Sequence, residues 1–225
     1  MSGDDTWLYG ASASAGSAGS AGSAILTSSA ARRHCARVFI PGGGLVLHTE
    51  MSVDARGKLV VYVGPMFAGK TTALFRDAAA APRACIVRPA RDTRGPRVAP
   101  PPGAEVRVCD SLAAFAADAP PGAVFVDEGF LFDDLVAGAD ALVARGVDVT
   151  VATIQYDFLR RWFENVRELA ARPAARVVVV AGTCATPGCG APSVYTRRTA
   201  PAAGRVAVGD FYAPACARCW RAPPE

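Results

Sequence analysis

The chain has 225 residues, 51% of them hydrophobic, with a mean hydropathy of +0.22; that is ample for one buried core and thin for two large ones, so one main domain with a small satellite is expected. Its net charge of +4 and pI near 8.8 come from arginines scattered along the sequence, which suit anionic small molecules, and no basic run is long enough to form a nucleic-acid groove. Nor is there a stretch of about 18 uninterrupted apolar residues, so no transmembrane helix and no membrane partner are expected.

Residues 1–55 differ in grammar from the rest. The repeat "ASASAGSAGSAGSA" (11–24) carries no side chain able to build a core and reads as a flexible tail. The following "ILTSSAARRHCARVF" bears arginines and no acids, as an organelle transit segment does, while Asp4 and Asp5 favour a solvated tail. Met51 opens "MSVDARGKLVVYVGPMF", which looks like a complete start, so residues 1–50 are expected to be dispensable for folding and catalysis. His34 and His48 lie in this tail and are assigned no chemistry.

From Lys58 onward, nearly continuous runs of Val, Ile and Ala predict strands at 59–63, 84–88, 123–127, 147–153 and 176–181, of the kind buried on both faces of a parallel sheet. Between them, 70–81, 111–118, 133–145 and 163–172 read as helices, and the alternation predicts an α/β fold. Residues 91–105, "RDTRGPRVAPPPGAE", are too rich in Pro and Gly for either element and read as a long functional loop. After Ala181 comes a loop-rich stretch with β-like pieces at 193–196 and 205–208. The expected division is a tail (1–55), a nucleotide-binding core (56–182) and a small metal-stapled lobe (183–225).

Gly64-Pro65-Met66-Phe67-Ala68-Gly69-Lys70-Thr71, followed by Thr72, has two glycines separated by four residues and then Lys-Thr. Such glycines let the backbone curl its N–H groups toward phosphate oxygens; Lys70 would reach the β- and γ-phosphates and the Thr71 hydroxyl would ligate Mg²⁺. The motif follows a predicted strand and opens a predicted helix, as a phosphate loop requires. In "AVFVDEGF" (123–130), Asp127 and Glu128 stand at the end of an apolar strand, where open α/β sheets bind ligands. Asp127 suits Mg²⁺, directly or through water, and Glu128 suits a base that takes a proton from an attacking hydroxyl or water.

Of seven cysteines, Cys184-x4-Cys189 and Cys216-x2-Cys219 form two close pairs. Four thiolates so spaced suit a closed, structural Zn²⁺ site rather than a disulfide framework, which points to a reducing, cytoplasmic compartment. The aromatics Tyr156, Phe158, Trp162 and Phe163 in "IQYDFLRRWFEN" either pack in the core or stack a base.

Taken in order, "GPMFAGKTT", "RDTR", "VFVDEGF", "VATIQYDFLRRWF", "VYTRR" and the paired cysteines resemble the type II thymidine kinases, over roughly residues 57–221. The resemblance implies a phosphate-loop core with a mainly parallel sheet, a zinc lobe and a lasso-like loop closing over thymine. It also implies transfer of the γ-phosphate of ATP to the 5′-hydroxyl of thymidine, a homotetramer or dimer, and inhibition by dTTP. By position it makes Glu128 the catalytic base, has Gly64 to Thr72 hold the phosphates, and sets Asp92 and Arg94 near magnesium and phosphate. Met66, Phe158, Phe163, Thr196 and the lasso residue Tyr212 surround the nucleoside. The chain departs from the family at Phe130, where an amide is usual, at Leu131, where an aromatic is usual, in the lasso "VAVGDFY" (206–212), which lacks a Gly-Gly, and in the x4 cysteine pair. A generic phosphate-loop ATPase and a degenerate nucleotide-binding module are the alternative readings.

Overall fold

The computed structural model describes residues 56–94, 98–120, 122–201, 204–207, 209 and 211–222. The expectations for the tail and for Met51 as a start lie outside those residues.

Six strands form one parallel sheet: β1 (Leu59–Val63), β2 (Ala84–Pro89), β3 (Glu105–Cys109), β4 (Ala123–Val126), β5 (Asp148–Thr153) and β6 (Ala175–Val179), in the order β3-β2-β4-β5-β1-β6. Every neighbouring pair is parallel, with Leu59 opposite both Val149 and Ala175 in the centre. Four helices cover it: α1 (Lys70–Ala80), α2 (Leu112–Ala117), α3 (Leu135–Ala144) and α4 (Glu164–Ala170).

Period-2 alternation sorts the strand residues between two layers. Tyr62, Ile86, Phe125 and Ala152 face α1, packing on Leu74, Phe75 and Ala78. Their sequence neighbours point the other way, as Val151 does toward Gly129 and Leu135, where α2 and α3 pack together and α4 packs on α3 and β6. Leu74, Ile86, Leu112, Leu135, Leu142 and Leu169 are fully buried, and each such side chain contributes about 1.5–3 kcal/mol relative to exposure. Because the sheet is parallel, the carboxyl ends of β1, β2, β4 and β5 all emerge at one edge, and the loops that carry the candidate chemistry gather there.

Two readings of the sequence need correction. Strand β3 is not among the predicted strands, and only its first residue, Glu105, falls in the segment read as a loop; it is an edge strand whose Glu105, Val106, Arg107 and Val108 are exposed, so burial imposed no continuous apolar run on it. Residues 205–207 carry no strand among those described. The hairpin beyond the sheet instead pairs β9 (Tyr195–Arg198) with β10 (Tyr212–Ala215), antiparallel, beside the short pair β7 (Gly182–Thr183) and β8 (Pro192–Ser193). Among the described residues no helix is long and apolar enough to cross a membrane.

Candidate active site

β1 runs out at Val63 and the chain turns through Gly64 to Gly69 into α1. A Cβ on Gly64 would lie 2.1 Å from the Val180 carbonyl oxygen, so the loop can curl there only on a residue without a side chain. Gly69 caps the helix in the left-handed region, at φ 88°. The Ala68 N–H bonds the Pro65 carbonyl at 3.4 Å, and the Lys70 ammonium donates to the same oxygen at 2.7 Å. Lys70 is buried, and burial pushes it down to about 8, against the pull of Glu128 and Asp127. The Thr71 hydroxyl donates to Asp127 Oδ1 at 2.9 Å. Burial, with the Glu128 charge adding to it, pushes Asp127 up to about 6.

These two oxygens fit Mg²⁺. Both are hard donors, and an octahedral ion with oxygen ligands at 2.0–2.1 Å has neighbouring ligands about 3.0 Å apart. Glu128, just beyond β4, adopts φ 52° and ψ 44°, the left-handed region that non-glycine residues rarely occupy. Its carboxylate accepts from Arg94 Nη2 at 2.8 Å. Arg94 is in turn gripped by Asp92, through Nε at 2.7 Å and the backbone N–H at 3.3 Å, and Arg88 reaches the other Asp92 oxygen at 2.9 Å. Burial works to raise Asp92, yet the hydrogen bonds from Arg94 and Arg88 outweigh it and hold the carboxyl below the usual range. Asp92, with its side chain only 2% exposed, aims Arg94.

Two adjoining clefts result. The first is lined by Met66, Phe67 and Gly69 to Thr72 of the loop together with Arg88, Asp92, Arg94, Asp127 and Glu128. The second is lined by Met66, Phe130, Tyr156, Phe158, Phe163, Thr196 and Tyr212, with Arg94, Asp157 and Arg205. Met66, Arg94 and Ile154 line both. Trp162 packs on Tyr156 with ring centroids 4.8 Å apart and lines neither cleft. Thr196, from β9, accepts the Met66 N–H at 3.0 Å and so ties the phosphate loop to the hairpin. Phe130 stacks against Phe163 at 4.8 Å, its N–H bonded to the Thr153 hydroxyl and its carbonyl to the Asn165 amide.

The ligand atoms of Cys184, Cys189, Cys216 and Cys219 lie within 4.8 Å of one another. Zinc–sulfur bonds of about 2.3 Å in a tetrahedron place sulfurs about 3.8 Å apart, and Cys189 lies 3.7 Å from Cys216 and 3.5 Å from Cys219. Backbone hydrogen bonds from Cys216 and Thr186 hold the Cys184 thiol down to about 6, toward the thiolate that a metal needs.

Of the sequence-predicted residues, Met66, Phe67, Gly69 to Thr72, Asp92, Arg94, Asp127, Glu128, Phe158, Phe163, Thr196 and Tyr212 line one or both clefts, whereas Gly64, Pro65 and Ala68 line neither, although the Pro65 carbonyl accepts from Lys70. Sequence reasoning missed Arg88, Ile154, Asp157 and Arg205. Arg88, the last residue but one of β2, lies four residues before Asp92, a spacing that could have flagged it; Arg205 meets its partner across 48 residues, and no local pattern encodes that.

A family model described as thymidine kinase matches residues 57–220. The cytosolic thymidine kinase of Gallus gallus is 30% identical over 192 residues, covering 80% of this chain and 83% of the bird protein. The thymidine kinase of Bdellovibrio bacteriovorus is 33% identical over 178 residues, covering 73% and 85% respectively.

Proposed function

The chain belongs to the thymidine kinase family and is a thymidine kinase, and from that premise we propose that it transfers the γ-phosphoryl group of ATP to the 5′-hydroxyl of thymidine, with Glu128 as the base. The observation that carries this reading is the meeting of a phosphate-loop cleft and an aromatic cleft at Met66, Arg94 and Ile154, with Arg94 bonded to Glu128.

The loop from Gly64 to Thr72 holds the phosphates through backbone N–H groups, and Lys70 supplies a desolvated positive charge. Thr71 and Asp127 would hold Mg²⁺, which would neutralise charge on the phosphates. Phe158 and Phe163 wall the nearly charge-free thymine, with Met66, Thr196 and Tyr212 completing the pocket. A 5′-hydroxyl is a poor nucleophile; Glu128 accepts its proton as the oxygen attacks the γ-phosphorus and the bond from that phosphorus to the β–γ bridging oxygen breaks, releasing ADP, while Arg94 orients the carboxylate and offers charge to the transferring group.

The reading extends to the rest of the chain. The chain divides into 1–55, the core 56–182 and the zinc lobe 183–225; the enzyme is a cytoplasmic homotetramer or dimer, and dTTP is a feedback inhibitor. Incubation with ATP, Mg²⁺ and a panel of nucleosides tests the central step: thymidine 5′-monophosphate is the expected product, and ATP hydrolysis indifferent to nucleoside would overturn it.

Phe130 gives a narrower expectation. Its ring buttresses Phe163 and lines the aromatic cleft but not the phosphate cleft, so Phe130→Gln should raise KM for thymidine about threefold or more while kcat stays within about twofold. Steady-state kinetics showing unchanged KM with a collapsed kcat would place Phe130 on the reacting side.

A further inference from the structure

One wall of the aromatic cleft comes from a stretch to which phosphate transfer and the cysteine cluster give no task. Arg205, Val206 and Ala207 line the cleft beside Phe163 and Tyr212. The Ala207 N–H donates to the Tyr212 hydroxyl at 3.0 Å, but what ties the stretch to the opposite wall is Arg205.

Its partner, Asp157, has a fully buried side chain. Asp157 Oδ1 accepts the backbone N–H groups of Leu159 at 2.9 Å and Arg161 at 2.8 Å. Asp157 Oδ2 accepts Arg161 Nε at 2.9 Å and Arg205 Nε at 2.8 Å. Arg205 Nη2 continues to the Trp162 carbonyl, and the guanidinium carbon lies over the Phe163 ring, 4.6 Å from its centroid. One planar group therefore holds a buried carboxylate, a main-chain carbonyl and the aromatic residue that walls the base.

We infer that Arg205 is a positioning residue for nucleoside selection: a latch that fixes residues 204–207 against Phe163 and sets the width of the base pocket. The inference rests on the thymidine-kinase reading of that pocket. An exposed ion pair contributes little, but this carboxylate is out of water, and the contacts need a fork and a flat face together. Lysine offers neither, so Arg205→Lys is not conservative here. Arg161 stays on Asp157 when Arg205 is removed, so the buried charge keeps a partner and the fold survives.

The test uses the full chain and compares the wild type with Arg205→Ala, Arg205→Lys and Arg161→Ala, by steady-state kinetics in both substrates and by thermal melting. Arg205→Ala should raise KM for thymidine about tenfold, with kcat and KM for ATP within about twofold. Arg205→Lys should behave like the alanine variant. Arg161→Ala, which removes the other guanidinium from the same carboxylate but lines no cleft, should leave KM for thymidine within about twofold. The latch is overturned if Arg205→Ala leaves KM for thymidine within twofold, raises KM for ATP in parallel, or fails to fold, or if Arg161→Ala matches it. A wild-type chain that makes no thymidine monophosphate would instead remove the reading on which the latch rests.

Discussion

Glu128→Gln lowers turnover by roughly 10²–10⁴, the range for losing a general base, while ATP binding stays near normal. The substitution keeps the shape of the side chain and a carbonyl oxygen for Arg94 Nη2, now 2.8 Å from Glu128 Oε1; what it removes is the capacity to hold a proton. The backbone supports this expectation independently. Glu128 sits at φ 52° between β4 and the turn Gly129–Leu131, a conformation that costs of order 1 kcal/mol or more and persists where surrounding structure enforces it, most often at functional sites. ATP should still bind because Lys70, Thr71 and Asp127 are untouched. Single-turnover measurements separate the two effects, and near-wild-type turnover would remove Glu128 from the chemistry.

Loss of one thiol from the cysteine cluster has the other large effect. Cys216→Ser, or prolonged chelation of the wild type, should release one zinc per chain and abolish saturable thymidine turnover. The cluster anchors the hairpin that builds part of the aromatic cleft: Cys216 follows β10 directly, Tyr212 opens that strand, and Ala215 pairs with Tyr195 beside Thr196. Trp220, next to Cys219, donates to the Phe158 carbonyl at 3.3 Å, so the cysteine cluster reaches a second wall of the pocket. Structural zinc in small domains supplies about 10–16 kcal/mol of apparent binding energy at neutral pH, far more than two-stranded pieces can gain alone. Elemental analysis of protein purified without chelators should find zinc in a 1:1 ratio. Finding none, or a disulfide in its place, would contradict the assignment.

The phosphate loop, the Asp127–Glu128 pair and the paired cysteines were legible because each lies in one short stretch whose residue types are fixed by its chemistry. Five of the six sheet strands were legible for a related reason: burial on both faces forces an unbroken apolar run, as in Leu59–Val63. Strand β3 was not, because an edge strand with four exposed residues carries no such constraint. The same holds for the site's wiring. That Asp92 aims Arg94, and that Arg205 crosses to Asp157, depends on which loops the sheet order brings to one edge, and neither pairing leaves a periodic or motif signal in the sequence.

The most direct measurement follows label from γ-³²P-ATP in the presence of Mg²⁺ and thymidine, with the Glu128→Gln chain run in parallel. The account predicts label on the 5′-oxygen of thymidine, formed by the wild type and lost in the variant to the extent that turnover falls. Label released only as inorganic phosphate, at the same rate with and without thymidine, would contradict it.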